Sequence, residues 1–302
     1  MDKSVYLEEQ GLRDGIQNLP QLLPTEKKVA YIKALIDAGL SRIQVASFVH
    51  PKLVPQMADA AELCKALPKA EDVIYSGLVL NLKGVERAID SGLNHLACSI
   101  SASNTHSQKN ARKTLEEAKL AFVEMVKLSH KHGIKVRGGI QCAFGCRYEG
   151  HISHTHVLDM VKHHLDTGIE EIALADSTGM GNPMAMEEIM ARVVEEAKGK
   201  AVILHLHNTE NKGYANLYAA LKVGVRHFDT AFGGLGGCPF IKNATGNIAT
   251  EDTVHMLHQM GFETGIKLDK LTAISQNMSE FLNHQLPGLL YKLKQDPEMV
   301  MI

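Results

Sequence analysis

The sequence predicts a (β/α)8 TIM barrel with a short C-terminal helical extension, and three observations support this fold class. Short β-branched segments alternate with longer amphipathic segments along the 302-residue chain. The alternation gives about eight strand and helix pairs, the number that closes a parallel barrel. No linker rich in Pro, Ser or Gly divides the chain into two domains. An open, doubly wound sheet shows the same alternation, but eight units exceed what most open sheets contain.

The predicted strands are the short β-branched runs between the longer amphipathic segments. The predicted strands are Val5–Leu7, Arg42–Ala46, Val73–Leu80, His95–Ile100, Ile134–Gln141, Glu170–Ala175, Ala201–His207 and His227–Thr230. The intervening segments have apolar residues at helical spacing. The predicted helices are Glu26–Ala38, Met57–Ala66, Gly84–Ile89, Ala111–His132, Val157–Thr167, Glu187–Ala197, Tyr214–Val223 and Glu251–Met260.

Five of the junctions from a helix to a strand repeat one pattern, in which a glycine follows the helix and a strand begins within about three positions. These glycines are Gly39, Gly92, Gly133, Gly168 and Gly224. Because a left-handed glycine commonly ends a helix, we expect five similar turns at the bottom of the barrel. The pattern stops after Leu271, so residues 1–271 are predicted to form the catalytic barrel and residues 272–302 the extension, with a helix at Ile274–Leu282.

The composition excludes several classes of function. Lys and Arg total 32 against 34 Asp and Glu, and aromatic residues make up 5% with no Trp, so a basic nucleic-acid surface with stacking rings is not predicted. Every apolar run is too short for the roughly 20 residues that a membrane span needs. The five cysteines are scattered, and the N-terminus has no apolar signal core. We therefore expect a cytoplasmic protein that binds a small molecule.

In a barrel of this kind, functional residues lie at the C-terminal ends of the strands. Asp14 lies in a Gly-bounded turn after the first strand and offers a carboxylate to a divalent metal ion, and Arg13 beside it can stabilise a developing oxyanion. A solvated Arg-Asp pair is the alternative. His205 and His207 end the seventh strand two positions apart, so both side chains face one side, which can be the barrel mouth.

The segment after the eighth strand adds two further candidates. Four glycines occur in the five residues 233–237, which predicts a mobile loop that ends at Cys238. Cys238 is a candidate general acid or base, unless the loop instead cradles a phosphate. Asn247 offers an amide oxygen suited to Mg²⁺ or Mn²⁺. The alternative is that it only belongs to a turn before the last helix. Because strand eight closes against strand one, we expect Asp14, the two histidines and Asn247 to be neighbours.

Asp176 is the last acidic candidate at a strand end. It follows the sixth strand, and we expect it to point towards the mouth and to orient the two metal-binding histidines. Cys142 and Cys146 have no second cysteine pair nearby, so a structural zinc site is not predicted.

Several motifs occur in one order and resemble the 3-hydroxy-3-methylglutaryl-CoA lyase family. The motifs are Arg13-Asp14-Gly15, residues 46–57, residues 142–150, His205-Leu206-His207 and residues 233–247. The resemblance covers about Glu9 to Leu271, and it extends to the related isopropylmalate and homocitrate synthases. It implies that Asp14, His205, His207 and Asn247 bind Mg²⁺ or Mn²⁺, that Arg13 stabilises an enolate, and that Cys238 is the catalytic thiol. It also implies an acyl-CoA substrate and a homodimer.

The chain departs from this family at Gln44, where the family has a Glu at the end of the second strand. Gln44 keeps an acceptor oxygen but loses the negative charge and any base function, and we place it with Arg13 in the substrate site. Three hypotheses remain: a lyase acting on 3-hydroxy-3-methylglutaryl-CoA, a related lyase or condensing enzyme acting on a different branched 3-hydroxy acid or acyl-CoA, and a barrel that binds metal and acyl-CoA without turnover. The set of polar residues at the strand ends argues against the third.

Overall fold

Eight parallel strands form a closed barrel in which each strand pairs with its neighbours in the chain and β8 pairs with β1. The structure is a computed structural model that describes residues 3–237 and 246–293. The strands are β1 (Tyr6–Glu9), β2 (Arg42–Ser47), β3 (Ile74–Val79), β4 (His95–Ser101), β5 (Lys135–Gln141), β6 (Glu171–Asp176), β7 (Ala201–Leu206) and β8 (His227–Thr230). The predicted fold class is therefore confirmed.

Helices on the outside of the barrel connect the strands. They are α1 (Thr25–Asp37), α2 (Ala60–Lys65), α3 (Leu82–Asp90), α4 (Asn104–Ala111), α5 (Leu115–Lys131), α6 (His154–Asp166), α7 (Pro183–Glu196), α8 (Gly213–Lys222), α9 (Thr250–Gln259), α10 (Leu268–Leu282) and α11 (Leu290–Leu293). No helix among the described residues combines the length and the apolar character needed to cross a bilayer.

Most helix boundaries lie one to four residues from the predicted ones, and two regions differ more. The helix predicted at Ala111–His132 corresponds to α5, and α4, which was not predicted, precedes it. Arg112 ends α4 in a left-handed conformation (φ 55°), and Thr114 starts α5 with a capping box to Glu117. The helix predicted at Ile274–Leu282 begins six residues earlier, at Leu268. The domain boundary that we placed after residue 271 therefore falls within α10.

The five repeated helix-to-strand turns have the predicted conformation. All five glycines that follow the helices have a positive φ, between 70° and 101°. L residues with a side chain rarely adopt this region, so glycine sets the end of these helices.

Ion pairs fill the lower part of the barrel interior, where branched apolar side chains are usual in this fold. Arg42 Nη2 lies 3.0 Å from Glu8 Oε2 and 2.7 Å from Glu171 Oε2. Arg137 forms two hydrogen bonds to Asp229, of 2.9 and 2.5 Å, and lies 3.3 Å from Glu8. Buried charges are tolerated only when they are paired, so this network fixes the orientation of its members. Asp229 extends the network upward to the functional site.

The C-terminal segment packs on the start of the glycine-rich loop after β8. The Gly288 N–H donates to the Gly233 carbonyl (2.8 Å), and Leu286 is buried against Gly233, where an added Cβ would lie 2.3 Å from the Leu286 side chain. From below, both carboxylate oxygens of Glu251 accept the Gly233 N–H, at 3.1 and 3.0 Å. The base of the loop is therefore held on two sides.

Glu251 makes the stability of the fold depend on pH. Burial raises the pKa of its carboxyl to about 8 from an ordinary 4.5, so the folded chain holds a proton that the unfolded chain releases between these values. Stability should therefore fall as pH rises across this interval, with a slope of up to about 1.4 kcal/mol per pH unit from this group. Glu251→Gln keeps an acceptor for Gly233 and removes the titration.

We expect a flatter dependence of the free energy of unfolding on pH for Glu251→Gln than for the wild type, measured by urea denaturation between pH 5 and pH 8. Glu62→Gln, which alters an exposed carboxylate on α2, is the control and should follow the wild type. Parallel curves for the wild type and Glu251→Gln would contradict this assignment.

Candidate metal centre

Three predicted metal ligands converge at the mouth of the barrel. Asp14 lies in a single π-helical turn, Gly11–Gly15, directly after β1, and His205 and His207 lie at the end of β7. Their ligand atoms are all within 4.8 Å of one another: His207 Nε2 is 3.0 Å from His205 Nε2 and 3.4 Å from Asp14 Oδ2. All three residues are buried. Barrel closure thus brings the ends of β1 and β7 together across β8.

Asn247 joins this cluster through its side chain. Its Nδ2 donates to Asp14 Oδ2 (2.8 Å) and to the Leu235 carbonyl (3.0 Å), and its backbone bridges to that of His207. Its buried Oδ1 has no hydrogen-bond partner within the described chain. A buried acceptor without a donor is costly, whereas an amide oxygen beside a carboxylate and two imidazoles is a suitable donor set for a divalent cation. The four residues therefore fit a metal ion.

The electrostatics of the cluster match the protonation states that a cation requires. Burial alone would raise the pKa of Asp14, but Arg13 and His207 outweigh it and hold this pKa well below the ordinary 3.8. Burial lowers the pKa of His205, and Asp229 only partly opposes the effect. At neutral pH the centre therefore contains an ionised carboxylate and a neutral His205 imidazole, the forms that coordinate metal.

Arg13 is held in one orientation by three side chains. Its Nε donates to Gln44 Oε1 (2.5 Å), its Nη2 donates to Gln10 Oε1 (2.8 Å), and its Nη1 donates to Asp14. Gln44 in turn donates to Ser76 Oγ at 3.4 Å. Two of the three partners are neutral amides, so Asp14 is the carboxylate that balances the Arg13 charge. Sequence reasoning identified Gln44 but missed Gln10, although Gln10 is a polar residue at the strand end.

Asp176 does not point to the mouth as expected. Ala173 and Ala175 of β6 line the cavity above the metal cluster, and Asp176 lies on the opposite face of the strand, where its Oδ2 accepts the Gly181 N–H (3.0 Å). The predicted direction was wrong because Ala175, not Asp176, is the register partner of the inward-facing His205. Burial raises the pKa of Asp176 to about 6. The charge of His207 opposes this rise in pKa, so the role of Asp176 in orienting the histidines stays a prediction.

Asp229 of β8 instead contacts His205, one of the two candidate metal-ligating histidines. Its Oδ2 lies 3.0 Å from His205 Nδ1, and Arg137 holds the same carboxylate through two hydrogen bonds. Burial opposes ionisation of Asp229, but Arg137 and His205 lower its pKa below the ordinary value. An ionised Asp229 accepts Nδ1–H and leaves the His205 Nε2 lone pair for the metal. A charged residue within a buried strand was the signal that could have identified it.

Replacing Asp229 with Asn should weaken metal binding, because the amide no longer fixes the His205 tautomer. We expect Asp229→Asn to raise the dissociation constant for Mn²⁺ about 10- to 100-fold, measured by isothermal titration calorimetry. Asp37→Asn makes the same chemical change at an exposed carboxylate at the end of α1 and should bind Mn²⁺ as the wild type does. Equal losses in the two variants would show that Asp229 has no special role, and circular dichroism would verify that both are folded.

A cavity of about 440 Å³ opens above the cluster. Its lining includes Arg13, Gln44, Asp14, His205 and His207, and the exposed side chains of Lys109 and Arg112 lie at its mouth. Gly237 also lines it and accepts a hydrogen bond from Asn18 (3.3 Å). Cys238, the predicted thiol, lies outside the described residues.

Comparisons with known proteins agree with this architecture. The HMGL-like family model matches residues 4–278. The mitochondrial hydroxymethylglutaryl-CoA lyase of Bos taurus is 39% identical over 94% of this chain and 87% of its own length, and the (R)-citramalyl-CoA lyase of Chloroflexus aurantiacus is 38% identical over 93% and 92%. An HMG-CoA lyase structure from Acinetobacter baumannii, in complex with coenzyme A and 3-methylmalate, superimposes with a TM-score of 0.94 at 39% identity over 99% of this chain and 98% of that one. Matches that span almost the whole chain at this identity show that the protein belongs to the hydroxymethylglutaryl-CoA lyase family of carbon–carbon lyases.

Proposed function

We propose that the protein is a divalent-metal-dependent lyase that cleaves 3-hydroxy-3-methylglutaryl-CoA to acetyl-CoA and acetoacetate by retro-Claisen chemistry. One observation carries the proposal: an ionised carboxylate, two imidazoles and an amide oxygen without a hydrogen-bond partner converge beside a fixed arginine in a single cavity. This arrangement combines a metal donor set with an oxyanion-stabilising cation, the two requirements of the reaction.

Two groups of residues would act on the substrate: the metal-ligand candidates at its hydroxyl, and Arg13 at its thioester carbonyl. A bound Mg²⁺ or Mn²⁺ supplies Lewis-acid chemistry that lowers the pKa of the tertiary hydroxyl of the substrate. A base takes the proton of this hydroxyl, and its oxygen becomes the new ketone carbonyl as the carbon–carbon bond breaks. The electron pair of that bond passes to the thioester carbonyl, and the N–H groups of Arg13 stabilise the enolate oxygen. We assign protonation of the enolate carbon to Cys238. Gln44 orients Arg13 and cannot act as a base.

A related lyase or condensing enzyme acting on a different branched 3-hydroxy acid or 3-hydroxyacyl-CoA is the second candidate. Gln44 favours it, because a neutral amide contacts Arg13 where the family resemblance leads us to expect a carboxylate. Removing one negative charge beside Arg13 and the metal donors leaves the cavity more favourable to an anionic acyl group. One similar protein is named (R)-citramalyl-CoA lyase, and the structure of another, an HMG-CoA lyase, is a complex with coenzyme A and 3-methylmalate.

We also propose a homodimer in a reducing, cytoplasmic compartment. The family resemblance supports the dimer. The cysteines support the compartment, because no disulfide links the four that the structure describes: Cys64, Cys98, Cys142 and Cys146.

The proposed function is tested by incubating the purified protein with 3-hydroxy-3-methylglutaryl-CoA, Mn²⁺ and a thiol reductant, and measuring acetyl-CoA by mass spectrometry. We expect rapid release that Cys238→Ala abolishes. Absence of release while calorimetry shows bound Mn²⁺ would exclude this substrate and favour the second candidate. Gln44→Glu then distinguishes the two: a large gain on the methylglutaryl substrate would mean that the wild type is adapted to another acyl group.

A further inference from the structure

Small residues leave one side of the cavity open. Ser99 of β4, Gly139 of β5 and Ala173 of β6 line it, and they form a continuous row, because Ser99 pairs in register with Gly139 and Gly139 with Ala173. One position higher on the same face of β6, Ala175 is the register partner of His205. The open region therefore begins beside a metal-ligand residue and extends along three strands.

This region departs from the usual filling of such a barrel. Bulky branched side chains normally occupy the inward positions of the strands and pack in layers. Protein interiors are close-packed, so unfilled space inside a barrel destabilises the fold unless a ligand occupies it. The wall leaves no room for a side chain at position 139, because a Cβ added to Gly139 would lie 2.5 Å from Ser99 Oγ. The space is thus a feature of several strands and does not arise from one missing side chain.

The chemistry of the walls favours an uncharged occupant. Ala97, Leu78 and Leu80 add apolar surface to the cavity. Its lining also includes uncharged polar side chains, among them Ser47, Gln141 and Ser177. The cations of the cavity are placed elsewhere: Lys109 and Arg112 at the mouth, Arg13 at the metal centre, and Arg137 in its pair with Asp229 at the floor.

We propose that this region is a subsite for an alkyl group larger than methyl at the carbon that carries the substrate hydroxyl. The inference rests on the proposed function and names its substrate class, 3-hydroxy-3-alkylglutaryl thioesters of coenzyme A. The hydroxyl belongs at the metal donors, so its carbon lies near His205, and a substituent that leaves this carbon towards β6 enters the row at Ala175 and Ala173.

The test is a substrate series in which the 3-alkyl group grows from methyl through ethyl and butyl to hexyl. We expect kcat/KM for acetyl-CoA release to rise about fourfold for each methylene that the subsite buries, up to butyl. Ala173→Leu fills the row and should lower the ratio of kcat/KM for the butyl substrate to kcat/KM for the methyl substrate about 100-fold. Ser99→Val tests the same space from β4 if Ala173→Leu does not fold. Ala58→Leu, an equal change on the exposed surface, should alter neither substrate.

A maximum at methyl with a steady decline for longer chains would overturn the inference while leaving the proposed function intact. Equal losses on methyl and butyl substrates in Ala173→Leu would overturn it as well.

If no member of the series is cleaved, the proposed function fails, and binding still tests the subsite. Thioether analogues, in which a methylene replaces the thioester carbonyl, cannot be cleaved. Calorimetry should show that the butyl analogue binds the wild type more tightly than the methyl analogue does. In Ala173→Leu the methyl analogue should bind more tightly. Equal affinities for the methyl and butyl analogues would refute the subsite.

Discussion

Asp14→Asn is expected to abolish measurable Mn²⁺ binding and to lower kcat at least about a thousandfold. Asp14 is the carboxylate of the donor set, and its two oxygens also accept hydrogen bonds from Arg13, Gln17 and Asn247. Asn preserves the shape and one acceptor oxygen but removes the charge that a dication requires. Calorimetric titration with Mn²⁺ and steady-state turnover would measure the two effects.

The control for this prediction is Asp37→Asn, the same change at an exposed carboxylate at the end of α1, which pairs with Lys270. It should bind Mn²⁺ and turn over substrate as the wild type does. An Asp14→Asn protein that keeps Mn²⁺ affinity within about threefold would refute the assignment of Asp14 as a metal ligand.

Arg13→Lys is expected to lower kcat by about 10²- to 10³-fold while the affinity for Mn²⁺ changes by less than about tenfold. Lys keeps the positive charge but not the planar fork that now donates to Gln44, Gln10 and Asp14 at once. The ammonium would therefore lack the fixed direction that stabilisation of an enolate oxygen needs. Steady-state kinetics would separate kcat from KM, and calorimetry would give the metal affinity.

Arg147→Lys is the matched control, because Arg147 pairs with Glu210 on the surface. Its kcat and its affinity for Mn²⁺ should both stay near those of the wild type. If kcat and metal affinity fell together in Arg13→Lys, Arg13 would be acting through the metal ligands. An unchanged kcat would exclude a role in the reaction.

Two glutamines hold Arg13 in place without adding a negative charge to the site. Gln44 and Gln10 supply the acceptor oxygens that hold the guanidinium, as carboxylates would, but add no charge. Arg13 therefore keeps more of its positive charge for the substrate. This is why substitution of Gln44 is the informative experiment for choosing between acyl groups.

Local patterns in the sequence were sufficient for the architecture. Alternation of short and long apolar segments predicted each strand to within one or two residues, and five glycines marked the helix ends because only glycine readily adopts their positive φ. The spacing of His205 and His207 was informative for the same reason, since strand periodicity is a local property. Barrel closure then placed Asp14 beside them.

Contacts across strands depended on register, which no single segment encodes. Asp176 and Asp229 are both acidic residues of parallel strands, yet only Asp229 contacts His205, because the pairing of Ala175 with His205 turns Asp176 to the outer face. In the same way, the row of Ser99, Gly139 and Ala173 exists only when three strands are aligned. The sequence by itself therefore determined the barrel, its turns and the metal-ligand candidates. Tertiary structure decided which carboxylate orients a ligand and where space remains for substrate, because a shift of one residue between strands reverses which face each side chain occupies.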